Sequence, residues 1–410
     1  MAAITNLNVF LGSQHIGTIT LLPSDKSIFS FTEAYIADSN RLTLSQSCKY
    51  LYGGITTDRD VIQTRLEPFF SNLLPEGHLR EYLSARAGVK DVREFYLMWI
   101  LGQDLPGDVT ILPADGEDWP PIANKSLSKK EIEAHHRQIM RFSLAGVQLK
   151  FSALEKSQGG LTIPAKGTGG SWIVKLPSVK WHGVPENEYS MMEFARRMGM
   201  DVPEVKLISI DDIGGMPQGI GDMSGDALAV KRFDRTEDGG HIHIEDFAQV
   251  FGLYPERKYK RGNYRNIAEV IWGEIDTEAL IEYVKRLVFN ALIGNSDMHM
   301  KNWSLIYPDG RNAALAPAYD FLSTIPYIND TDMALNLYRG GPRRFDELTL
   351  DSFISFAAKA KLPETIVINT VKETINQFHD LWTDVQNDLP IESRVAQAVE
   401  EHLKTIPMAQ

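Results

Sequence analysis

The chain has 410 residues, 43% apolar and 23% charged, an ordinary globular composition for two or three domains that excludes a disordered chain. Lysine and arginine total 42 against 54 acidic residues, a net charge of −12. This disfavours tight nucleic-acid binding by the chain itself. Cys48 is the only cysteine, so internal disulfides and thiolate-rich metal centres are excluded.

The start, Met1 to Gly12, lacks a basic stretch followed by a long apolar one, so no secretion signal is expected. No run reaches about 18 apolar residues, so no membrane span is expected and the expected location is the cytoplasm. The runs 7–11 and 16–21 flank a Gly-Ser turn and predict a β-hairpin, with 28–31 as a third strand. Helices are expected over 68–74, 77–87 and 92–101, and a strand over 109–112. The proline-rich stretch 113–124 reads as a linker. A short helix at 129–140 precedes strands at 149–153 and 171–176. A helix over 187–198 follows, with Gly199 suited to cap it. Strands at 205–210 and 227–233 complete a strand-rich half. Beyond Asp234 the pattern is mostly helical, with one strand pair between Trp303 and Leu315.

The sharpest chemical signal lies between Glu278 and Asp320. Leu280, Val284, Leu287, Val288, Ala291 and Leu292 recur at helical spacing, and Gly294 stands where a left-handed residue would end that helix. Asp297 follows, then Asn302 five residues later, then Asp320 beyond a short hairpin. Phosphoryl transfer needs a carboxylate beside the attacking hydroxyl and oxygen ligands for Mg²⁺ at a fixed distance from it. Asp-x-x-x-x-Asn followed by a second Asp is the kinase arrangement. Single Asp and Asn residues are common in loops, so the ordered set carries the signal. His299 and Lys301 are either exposed loop polars or neighbours of the phosphates.

Lys175 lies between Val174 and Leu176, an unusual setting for a surface lysine. It reads either as a phosphate-binding cation or as an edge-strand lysine that blunts aggregation. Glu188 is placed to pair with it, or serves as an acid near a helix start. Between Ser143 and Lys150, Ala145 and Gly146 would let backbone N–H groups approach an anion, while Gln148 and Lys150 add donors. By itself this loop is also an ordinary helix-to-strand turn.

These segments resemble the HipA toxin kinases of bacterial toxin–antitoxin modules. The resemblance rests on Ser143 to Lys150, Trp172 to Pro177, Asn187-Glu188-Tyr189, Lys231 to Arg235, Gly294 to Asn302 and Ala316 to Asp320, in that order. Phe69 to Glu76 and Gly107 to Thr110 resemble the family's N-terminal subdomain.

The resemblance implies an α+β, protein-kinase-like fold. A HipA-type subdomain over 1–112 and a linker over 113–128 would precede a strand-rich lobe over 129–233. A mainly α-helical lobe would span 234–410. It implies an ATP- and Mg²⁺-dependent serine/threonine kinase with Asp297 as catalytic base, and with Asn302 and Asp320 as metal ligands. Lys175 would contact the phosphates. The backbone of Ala145, Gly146, Val147, Gln148, Leu149 and Lys150 would cover them. Lys231, Arg232 and Phe233 would form the hinge beside adenine. His299, Met300, Lys301 and Tyr319 would line the nucleotide site. Ser143 matches a serine that family members autophosphorylate, which ejects the loop. The implied partner is a small dimeric HipB-like DNA-binding antitoxin, through which an acidic protein would reach DNA. The implied substrates include translation components such as aminoacyl-tRNA synthetases.

Two competing readings stand beside it. A small-molecule phosphotransferase of the aminoglycoside or choline kinase type shares the Asp-x4-Asn and Asp arrangement. A kinase-shaped binding protein would sequester a partner without catalysis.

Overall fold

The structure, a computed structural model, describes residues 5–50, 54–87, 89–114, 150–155, 160–163, 169–178, 180–216, 224–328 and 330–410. The expected helix at 129–140, the loop 143–149 and nearly all of the expected linker lie outside them.

Five strands form the first sheet: β1 (Thr5–Leu11), β2 (Gln14–Leu22), β3 (Lys26–Phe31), β4 (Ile62–Gln63) and β5 (Val109–Pro113), ordered β4-β3-β2-β1-β5. The expected hairpin is β1 and β2, with Leu11 opposite Gln14 and Gly12 at φ +57° in the turn, a conformation that favours glycine. Leu7, Val9 and Leu11 alternate onto one buried face. Glu94–Leu101 is buried along its whole length and includes one acid. The Glu94 carboxylate is satisfied there by the Leu66 N–H at 2.8 Å and the Ser71 hydroxyl at 2.9 Å.

A six-stranded sheet follows in the order β10-β7-β6-β8-β11-β9. Its strands are β6 (Lys150–Glu155), β7 (Leu161–Thr162), β8 (Trp172–Lys175), β9 (Val205–Ser209), β10 (Ile213–Gly214) and β11 (Asp226–Lys231). The period-2 rule divides β11 between two cores. Ala227 and Ala229 join Phe151, Trp172 and Val174 in a cluster shared with the first sheet. Leu228 and Val230 pack instead with Met191, Phe194 and the helical half. One hydrophobic core therefore fuses the first sheet to the second.

The helical half is organised around Thr277–Leu292, capped by Asp276, whose side chain accepts the Ala279 N–H at 2.8 Å. The long helix Glu364–Asp388 packs on it, with Phe194 and Phe378 each in ring contact with the other and with both Phe289 and Trp382. The expected strand pair is β13 (Ser304–Tyr307) with β14 (Ala314–Leu315), and a further strand, β12 (His243–Asp246), completes this sheet. Sequence periodicity does not reveal β12, which has only four residues and is defined by pairing across the fold, with His243 opposite Tyr307. The helix expected from Asn187 starts earlier, at Val184, so Glu188 lies in its second turn. Asp320 is not at a strand end. It lies five residues beyond β14, in a segment outside any helix or strand.

The first domain also grips the helical half. Asn72 Nδ2 donates to Leu253 O at 2.7 Å, Gln249 Nε2 to Phe69 O at 3.0 Å, and Thr43 N to Gly310 O at 2.8 Å. Among the described residues, no helix is long and apolar enough to cross a membrane.

Candidate active site

The Thr277–Leu292 helix ends at Ile293, and Gly294 turns the chain at φ +67°. A Cβ there would stand 2.7 Å from Ile325 Cδ1, so the turn requires glycine twice over. The loop beyond is tied by its own polar side chains. Asn295 Nδ2 donates to Asn290 Oδ1 at 2.8 Å and to Asp320 O at 3.2 Å, while its Oδ1 accepts the Asp297 N–H at 3.1 Å. Asn302 Nδ2 donates to Asp297 O at 3.0 Å. Asn295 thus stitches the Asp297 loop to the Asp320 segment, and Asn302 returns to close the loop. Burial pushes the Asp297 carboxyl up from its ordinary value, and a hydrogen bond from the Tyr259 hydroxyl offsets part of that rise.

Asp320 has φ +58°, a left-handed conformation uncommon for a residue with a side chain and one that clusters at functional sites. Its carboxylate accepts from Lys175 Nζ, which also donates to Glu188. Burial alone would raise Asp320. Lys175 and then Lys150 outweigh it and hold the carboxyl well below the usual range. Lys150 on β6 stands directly opposite Lys175 on β8. Burial, opposed by Asp320 and reinforced by Lys175, pushes the Lys150 ammonium down. Like charges directly opposed across a ladder are unfavourable, so this pairing favours an anion between them.

The remaining candidates divide into two groups. His299 is buried, and burial and then Lys258 push its pKa down to about 3, so it is neutral. Its Nδ1 is a buried polar atom with no hydrogen-bond partner among the described residues. Phe233 lies against Tyr319, ring centroids 5.8 Å apart, and the Tyr319 hydroxyl donates to Lys301 O at 2.8 Å. Other side chains are engaged elsewhere. Met300 is in the hydrophobic core. Lys231 reaches Glu204 at 3.4 Å, and Arg232 is buried against Asp234 at 2.8 Å. Lys301 Nζ is held by Glu76 at 2.6 Å and Asn72 O at 3.1 Å. Ser143, Ala145, Gly146, Val147, Gln148 and Leu149 lie outside the described residues.

Sequence reasoning missed Glu76, Lys258, Tyr259 and Asp246. Glu76 also pairs with Lys258 at 2.9 Å, and Asp246 lies 4.0 Å from Lys301. Burial would raise Glu76, but Lys301 and Lys258 overcome it and lower its pKa to about 2. Glu76 ends the Phe69 to Glu76 motif, and the charge run around Tyr259 is visible in the sequence. Their convergence on the Asp297 loop depends on tertiary structure.

A strand-rich lobe bearing a lysine–glutamate pair, set against a helical lobe bearing Asp297, Asn302 and Asp320, defines the α+β, protein-kinase-like class. Family models match twice: the HipA N-terminal domain over residues 7–112 and the HipA-like C-terminal domain over 142–382. The chain belongs to the HipA family. It is 52% identical to a Sinorhizobium fredii protein named as a kinase, Y4dM, over 100% of this chain and 98% of that one. It is 25% identical to the serine/threonine-protein kinase toxin HipA of Shewanella oneidensis, over 100% of this chain and 96% of that one. A solved Shewanella oneidensis complex of HipA, HipB and operator DNA has the same fold. Its match has TM-score 0.71 and 21% identity, covering 97% of this chain and 94% of that one.

Proposed function

We propose that the protein is an Mg²⁺–ATP-dependent serine/threonine protein kinase. It acts in the cytoplasm as the toxin of a HipA/HipB-like module. The observation that carries this is the meeting of Asp297, Asn302 and Asp320 with the Lys175–Glu188 pair.

Asp297 accepts the proton of the substrate hydroxyl, and its burial raises its basicity for that purpose. Lys175 is oriented by Glu188, and with Lys150 it supplies positive charge for the nucleotide phosphates. The opposed lysines and the unpartnered His299 Nδ1 fit such a group. Asn302 and Asp320 would hold Mg²⁺. Two protein oxygens suit an ion otherwise ligated by phosphates and water. Held by these two residues, Mg²⁺ would supply positive charge to offset the negative charge on the transferring phosphate. The backbone from Ala145 to Lys150 is the proposed cover of the phosphates. Ser143 is the proposed autophosphorylation site, where about −1.5 to −2 of added charge would repel the nucleotide.

The fold shared with the HipA–HipB–operator complex supports a HipB-like antitoxin as partner, and that partner is proposed to be dimeric. A translation component is the proposed class of substrate.

One experiment tests the core reading. Protein with Asp297 intact and the Asp297→Asn variant are incubated with labelled ATP and Mg²⁺, then examined by mass spectrometry. A loss of roughly a hundredfold or more in phosphorylation rate is expected for the variant, with phosphate on Ser143 only in the intact protein. Equal rates would refute Asp297 as the base. Phosphate absent from both would refute the Ser143 switch.

A further inference from the structure

Residues 255–265 read Pro-Glu-Arg-Lys-Tyr-Lys-Arg-Gly-Asn-Tyr-Arg, with cations at Arg257, Lys258, Lys260, Arg261 and Arg265 and a single acid, Glu256. In a chain of net charge −12 this is a local reversal of sign. The segment touches the proposed catalytic loop directly. The Tyr259 hydroxyl donates to Asp297, and the Met300 N–H donates to Lys258 O at 3.4 Å. A Cβ on Gly262 would collide with Met300 Cε.

Most cations here already have partners. Lys258 has Glu76 at 2.9 Å, and Arg265 has Glu269 at 2.6 Å. Glu256 is taken by Arg65 at 2.6 Å. Arg257, Lys260 and Arg261 are exposed, and no carboxylate of the described residues makes an ion pair with them. Arg339 is in the same condition. It lines, with Asn263, Arg265 and Asn336, a cleft of about 550 Å³ beside Gly262. The Tyr264 N–H donates to Asn336 O at 3.1 Å and the Arg265 N–H to Leu337 O at 3.0 Å, which joins the two segments into one surface. Three exposed cations without an ion-pair partner among the described residues therefore lie on the segment that bonds Asp297, and a fourth, Arg339, lines the cleft at its far end, while Lys258 and Arg265 are neutralised.

We propose that this face, built by Arg257, Lys260, Arg261 and Arg339, docks an acidic segment of the protein substrate, placing a serine or threonine next to it at Asp297. The proposal rests on the kinase reading above and names its substrate class. Two observations favour an acidic polypeptide over nucleic acid. Three of the four free cations fall within the five residues Arg257 to Arg261, too few to neutralise a long run of phosphates. The patch also adjoins the very carboxylate that would accept a hydroxyl proton. Such a charge match raises association rate and selectivity and weakens with salt.

The test uses the full-length protein with Mg²⁺–ATP and the Lys260→Glu, Arg261→Glu double variant, in which both changes are at exposed positions. Three fluorescent peptides carry one serine flanked by aspartates and glutamates, by asparagines and glutamines, or by lysines. Binding is measured by anisotropy and phosphorylation by label transfer. The acidic peptide should bind about tenfold tighter than the neutral one, an advantage that high salt and the double variant both abolish. Equal binding of the acidic and neutral peptides, or an acidic preference that survives in the variant, would overturn the docking site. So would a random oligonucleotide that displaces the acidic peptide and binds more tightly, since the face would then belong to nucleic acid. Selective binding without phosphate transfer to any peptide would uphold the docking site and count against the kinase reading alone.

Discussion

Glu76, from the first domain, accepts a hydrogen bond from Lys301 at 2.6 Å, one residue before Asn302 in the proposed catalytic loop. The same carboxylate holds Lys258 at 2.9 Å. Glu76→Gln would leave two largely buried ammonium groups facing a neutral amide. Breaking such a pair costs about 3–5 kcal/mol. Urea denaturation should show a loss of this size. Replacing Lys301 by methionine in the same protein should recover part of it. A loss below about 1 kcal/mol would show that the Glu76 contacts contribute little.

Tyr259 occupies Asp297 with its hydroxyl, where a substrate hydroxyl would have to bind. It is 40% exposed and so has room to leave. Its hydrogen bond lowers the Asp297 pKa, so Tyr259→Phe raises it. As the proposed base, Asp297 would work only when deprotonated. The acid limb of the profile of kcat/KM against pH should therefore move to higher pH. A limb that stays in place or moves down would show that this contact does not tune Asp297.

For Asp320 the informative change is Asp320→Asn. Asparagine tolerates the left-handed conformation at φ +58°, so the backbone is kept while the charge is removed. Lys175 keeps Glu188 as partner. Calorimetric titration of ATP with and without Mg²⁺ should show the metal's contribution to affinity reduced by about tenfold or more. An unchanged metal effect would make Asp320 a structural partner of Lys175 only.

Glu245 joins the first domain to the third sheet. It accepts from the Ser45 hydroxyl at 2.5 Å, the Gln46 N–H at 2.9 Å and the Tyr307 hydroxyl. Burial pushes its pKa up from 4.5 to about 7. Between pH 4.5 and 7 the folded state holds a proton that the unfolded chain has lost. This group's contribution to stability therefore falls as pH rises through that window and levels off above it, by at most on the order of 3 kcal/mol. Glu245→Gln removes that slope. Melting temperatures of both proteins from about pH 5 to 8 should converge at the acidic end and separate at the alkaline end, with the variant higher. Parallel curves would place the titration elsewhere.

Much of the site was legible because its parts follow one another along the chain. The apolar stripe from Leu280 to Leu292, the glycine at 294, and the spacing of Asp297 to Asn302 are local patterns with local causes. Lys175 between two apolar neighbours and Glu188 on the next helix were likewise readable. Their pairing is seen in the structure. What escaped was decided by distant contacts. The pairing of Lys301 with Glu76, 225 positions earlier, leaves no local mark in the sequence. Four residues of β12 carry too little periodicity to stand out, and only pairing with β13 makes them a strand. The φ of Asp320 follows from packing around it and leaves no mark in composition.

The fused core has a mechanical consequence. Phe151, Trp172 and Val174 of the six-stranded sheet are buried in one cluster with Leu7, Val9 and Phe70 of the first domain. That domain is simultaneously bonded to the helical half through Asn72, Thr43 and Ser45. A two-lobed kinase ordinarily breathes by rotating one lobe against the other about a narrow waist. Here a third body straddles the waist, so rotation would tear polar contacts on one side or part a hydrophobic core on the other. At the proposed nucleotide site, entry and exit would fall to local rearrangement at its mouth, and whatever grips the straddling domain gains leverage over both halves at once.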